Sequence, residues 1–152
     1  MNNTYLVVWG ICAVLSLIFV GYRVVVHKKR GPRFPAPSEY KALYEDRWAS
    51  GRSLENIITQ LGGARNCLKL TVTPDELWTT TWLFPFIGDA YDLEHRIKKQ
   101  DIVSVGKASG LFKGGTLVVE YRRENGSQAR LELTPKRYEE FKQALEVGMN
   151  VT

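Results

Sequence analysis

Hydrophobic and polar positions change their rhythm twice along this chain. Residues 5–22 read YLVVWGICAVLSLIFVGY without a charged side chain. Such a run predicts an uncleaved transmembrane helix over residues 1–26, since roughly 20 apolar residues span a bilayer core. Tyr5, Trp9 and Tyr22 suit the two interfaces. Residues 27–37 contain Pro32, Pro35 and Pro37 and read as a basic, extended linker. Over residues 38–63 the period is helical. Tyr40, Leu43, Tyr44 and Trp48 predict one short amphipathic helix over residues 39–49, stopped near Gly51. Leu54, Ile57, Ile58 and Leu61 predict a second behind a Ser53 cap.

From residue 64 onward the period becomes two. Leu68, Leu70 and Val72 alternate with polar residues. In residues 77–86, Trp78, Thr80, Trp82, Phe84 and Phe86 share one face and Leu77, Thr79, Thr81 and Leu83 the other. Further strands are expected at residues 102–105, 116–122 and 129–133, the last two joined by a turn at Glu124-Asn125-Gly126. Thr134 and Pro135 open a final helix whose apolar face is Tyr138, Phe141, Ala144 and Leu145. The expected fold class is α+β, a small antiparallel β-barrel or roll capped by a C-terminal helix.

Four parts carry a further likeness: LKLTVTPDELWTTTWLFPF, HRIKKQDIVSV, GTLVVEYR with ARLELT, and PKRYEEFKQAL. Together they resemble GRAM and bacterial pleckstrin-homology-like domains over about half the chain. The resemblance implies a bent sheet plugged by a C-terminal helix, binding lipid headgroups or proteins rather than catalysing a reaction. The first hairpin loop, Thr73-Pro74-Asp75-Glu76, is acidic, whereas phosphoinositide-binding members of that kind place bases there.

Charge sharpens this picture. The formal net charge is +5, and residues 23–52 hold eight bases against three acids, so the whole excess lies there. A neutral remainder argues against nucleic acid as a partner. Bases behind a hydrophobic run predict an N-terminus outside and a C-terminal domain in the cytoplasm of a single-pass protein. Arg23, Lys28, Lys29, Arg30, Arg33, Lys107 and Lys113 are the candidate contacts to anionic lipid of the bilayer. Trp48, Trp78, Trp82 and Phe112 are the candidate contacts to a protein partner, such as a membrane-complex subunit. Two cysteines and two histidines leave little for a metal centre, and the acidic cluster GDAYDLEH lacks the EF-hand spacing. Neither a catalytic residue nor a cofactor or metal ligand is expected. The function read from the chain is a non-enzymatic, membrane-anchored interaction module, with binding of anionic lipid headgroups as the alternative.

Overall fold

The computed structural model describes residues 5, 8–15, 17–18, 21–22, 34, 39–82, 88, 91–108 and 115–149. The chain divides into two units, Met1–Arg33 and Phe34–Thr152. In the first, the described residues are helical and exposed. Among the described residues no helix is long and apolar enough to cross a membrane. This overturns the expected transmembrane anchor, and with it the single-pass placement and the assignment of sides that rested on it.

The second unit is a seven-stranded antiparallel sheet. Its elements are β1 (Tyr44–Ser53), α1 (Ile57–Leu61), β2 (Ala64–Val72), β3 (Glu76–Thr81), β4 (His95–Lys98), β5 (Ile102–Lys107), β6 (Leu117–Arg122), β7 (Gln128–Thr134) and α2 (Tyr138–Glu146). The strand order is β4-β3-β2-β1-β7-β6-β5. Its two edge strands are consecutive in the chain, joined only by the 3-10 turn Lys99–Asp101. Seven flat strands would set those edges about 29 Å apart. The four Cα steps from Lys98 to Ile102 reach at most about 15 Å. The sheet must therefore curl strongly. It does not close: β4 pairs only with β3 and β5 only with β6 among the described residues. The expected closed barrel is replaced by an open, curled sheet, because β4 is only four residues long and the chain turns directly from it into β5.

The largest departure from expectation is β1. Residues 39–49 do not form a helix; β1 is the central strand, pairing with β2 on one side and β7 on the other. Register shifts between Asp46 and Ala49 turn Trp48 outward and Ala49 into the core. That irregularity breaks period-two alternation and leaves the apolar spacing looking helical. Gly51 is no helix stop either. A Cβ there would lie 2.7 Å from a Leu68 methyl and 3.0 Å from the Glu132 carbonyl oxygen. Glycine lets β1 pass from β2 to β7 at this crowded point. Of the second expected helix only α1 forms, and Ile57 and Leu61 are 75% and 85% exposed rather than packed.

The core lies on the concave face, built of Leu68, Leu70, Val72, Leu77, Val119, Leu131 and Leu133. Helix α2 begins at Tyr138, four residues beyond the expected Thr134 cap, because Thr134 still belongs to β7. It sinks Phe141, Ala144 and Leu145 into that core. Lys99 holds the helix's far end. Only 3% exposed, its Nζ donates to the Ala144 carbonyl at 2.7 Å and to the Val147 carbonyl. Burial pulls its pKa below the ordinary lysine value, and the charge of Asp75 opposes that. A cation on the last carbonyls suits the negative end of a helix. Lys99→Met strands those carbonyls and is expected to cost about 2 kcal/mol, read as a lower urea midpoint at unchanged slope.

Candidate functional site

On the convex face, residues from β1, the end of β3 and the start of the α2 approach converge. Trp48 is 50% exposed and Trp82 is 43% exposed, yet their rings meet edge to face with centroids 4.9 Å apart. Lys136 Nζ stands 5.7 Å from the centre of the Trp48 ring. Such an arrangement satisfies both the ring quadrupole and the ammonium while leaving indole surface open. Among the described residues no carboxylate lies within ion-pair distance of Lys136.

One buried carboxylate fixes this geometry. Asp46, 7% exposed, accepts the Trp48 backbone N–H at 2.9 Å through Oδ1. Its Oδ2 accepts the Lys136 backbone N–H at 2.8 Å and the Tyr44 hydroxyl at 3.2 Å. The same side chain thus shapes the β1 irregularity and sets the start of the α2 approach against it. Beside it, Glu45 Oε1 takes Arg47 Nε at 3.1 Å and Lys69 Nζ at 3.4 Å. Burial pushes the Glu45 carboxyl up, but Arg47 and Lys69 outweigh it and hold the group below its ordinary value.

Trp78, also expected at a partner surface, is only 5% exposed. Tyr40 packs on it edge to face at 4.5 Å and Phe34 at 5.9 Å. Its indole N–H donates to Glu76 at 2.6 Å, and the Arg96 guanidinium lies 5.6 Å above the ring. It is a structural residue, shielded by the segment preceding β1. Lys107 is exposed at the end of β5, on an edge strand far along the sheet order from the tryptophan pair. Arg23, Lys28, Lys29, Arg30, Arg33, Phe112 and Lys113 lie outside the described residues, as do Phe84 and Phe86. Sequence reasoning named Trp48 and Trp82 but not their pairing, and it missed Asp46 and Lys136. The Asp46-x-Trp48 step, where an aspartate accepts the N–H two residues on, was the local signal for the first.

The acidic stretch around residues 88–95 builds a second polar cluster. Asp92, in the left-handed region at φ 51°, takes Arg123 at 2.6 Å and the Ser53 hydroxyl at 3.2 Å. His95 Nε2 meets the Asp92 carbonyl at 2.7 Å, and its Nδ1 meets the Tyr121 hydroxyl at 3.1 Å. Ser53 is fully buried and bonds Asp92, while the hydroxyl that meets the imidazole is that of Tyr121. The cluster ties β1, β4 and β6 together. No group of three metal-ligating side chains converges among the described residues.

No protein-family model matches this chain, and no curated protein matches it either.

Proposed function

We propose that the unit Phe34–Thr152 is a non-catalytic interaction module that docks a protein partner, of the GRAM and bacterial pleckstrin-homology-like kind its sequence resembles. The observation that carries this reading is the pair of half-exposed tryptophans on the convex face, in edge-to-face contact, with the Trp48 backbone held by Asp46. Trp is costly to leave in water and is over-represented among residues that dominate binding energy. Here two rings are kept exposed at defined positions rather than folded away.

The test is site-specific photo-crosslinking. A benzophenone amino acid at position 82 of the full chain, in its native cells, is expected to yield a discrete protein adduct. The same probe at Ser127, in the exposed β6–β7 turn, is expected to yield none. Trp48→Ala should weaken partner binding by about tenfold or more while changing stability by less than about 1 kcal/mol. Equal adducts at both positions, or none, would remove the docking reading. Anionic phospholipid vesicles serve as the control for the lipid alternative: flotation of the wild type but not of Trp48→Ala would transfer this face from protein to lipid.

A further inference from the structure

The convex face continues beyond the tryptophans. Along β1, Trp48, Ser50 and Arg52 lie at alternate positions, a row of about 13 Å. Strand β7 runs antiparallel beside it, with Ser50 opposite Thr134 and Arg52 opposite Glu132. That register is what brings Lys136 alongside Trp48. On the same row opens a cleft of about 620 Å³, lined by Ser50, Arg52, Leu61, Arg65, Glu132 and Thr134. The cleft begins at Ser50, the next position of this row after Trp48, so tryptophan pair and cleft adjoin along a groove long enough for an extended segment of about five residues.

Its charges are unbalanced. Arg47, Lys69, Arg52, Arg65 and Lys136 bring five positive charges against the two carboxylates of Glu45 and Glu132. Arg52 is matched by Glu132 at 3.0 Å, while Arg47 and Lys69 share Glu45. The unmatched charge falls at Arg65 in the cleft and at Lys136, whose ammonium stands over an indole ring. Apolar surface stands at both ends, in the Trp48–Trp82 pair and in Leu61, which is 85% exposed.

Building on the docking reading above, we propose that this groove takes an extended acidic segment of a partner protein. An apolar side chain of that segment packs on the tryptophan pair, and its carboxylates meet Lys136 and Arg65. A nucleic-acid strand is a poorer fit. Its unbroken run of phosphates would pass Glu45 and Glu132, which interrupt the positive row, and Leu61 would meet no apolar group. A peptide can alternate carboxylate and apolar side chains to match this pattern.

The probe is a fluorescein-labelled peptide of about eight residues alternating glutamate with leucine and phenylalanine, titrated into the full chain by anisotropy. Its lysine counterpart and a single-stranded oligonucleotide of equal length are the competitors. The acidic peptide is expected to bind and to shift the indole N–H resonances of Trp48 and Trp82 but not that of Trp78. Lys136→Glu and Arg65→Glu should each weaken it by about tenfold, and raising salt from about 0.05 to about 0.5 M should weaken it further. Equal binding of the lysine peptide, stronger binding of the oligonucleotide, or unmoved Trp48 and Trp82 signals would each overturn the proposal. A position-82 crosslink in cells combined with failure of the acidic peptide would retain docking and refute the acidic partner, so the two readings fail separately.

Discussion

Asp46→Ala is expected to destabilise the unit Phe34–Thr152 by about 4 kcal/mol. The carboxylate is buried and accepts three hydrogen bonds, two of them from the part-buried backbone N–H groups of Trp48 and Lys136. Each orphaned buried donor costs about 1–3 kcal/mol, and hydrogen bonds to a charged acceptor lie at the strong end of the range. Asp46→Asn keeps the shape but must turn an NH2 toward one of its donors, so it should lose about half as much. Urea unfolding followed by far-ultraviolet circular dichroism measures both. The functional signature is more telling than the stability. Because Asp46 positions Trp48 and Lys136 together, the Asn variant at full folding should bind partner more weakly than wild type, although Asp46 itself is buried. An Asn variant with wild-type stability and wild-type binding would remove Asp46 from its positioning role.

Alkaline pH is expected to unfold this unit through two tyrosines. Tyr44 and Tyr121 are each 4% exposed, and the pKa of each is pushed up from 10.0 to about 12. Burial is the main cause for both. The nearby charge of Asp46 adds to it at Tyr44, while Arg123 partly opposes it at Tyr121. A raised pKa means the folded state holds its protons more tightly. The stabilisation is therefore complete below about pH 10 and lost as pH climbs toward about 12. Two pKa units correspond to about 3 kcal/mol per site, so the combined loss is about 5 kcal/mol. Thermal melts between pH 8 and pH 12 should show a steep fall above pH 10, coincident with tyrosinate absorbance at about 295 nm. In Tyr44→Phe and Tyr121→Phe variants the fall should become shallower by about half each. A flat profile across that window would show that neither hydroxyl is held in its buried, protonated form.

The parts of the fold legible from sequence are those where one period runs unbroken. Leu68, Leu70 and Val72 mark β2, Leu117, Val119 and Tyr121 mark β6, and Leu131 and Leu133 mark β7, because each strand buries alternate positions against one core. Phe141, Ala144 and Leu145 mark α2 for the corresponding reason at period 3.6. β1 was illegible. It pairs on both edges and carries a register shift, so its burial follows partner strands that lie 20 and 80 residues away rather than its own alternation. Gly51 carried a signal of crowding that reads as a helix stop when the partner strands are out of view. The tryptophans were visible as residues, but which of them stays exposed depends on Tyr40 and Phe34 covering Trp78 and nothing comparable covering Trp82 among the described residues. Lys136 was hidden because its place over Trp48 is set by the β1–β7 register, a long-range pairing.

That register has a consequence for how the protein is made. β1 is the first strand to leave the ribosome and β7 the last, and Ser50 cannot find Thr134 until more than eighty further residues have been synthesised. Throughout that interval β1 can pair with β2 but keeps its other edge bare, with Trp48 beside it. Sheet completion is thus late and slow by topology, since it closes the longest loop last. Lys136 reaches the tryptophan pair only at that same final step, and the nascent chain presents an open strand edge to chaperones before it presents a finished groove to a partner.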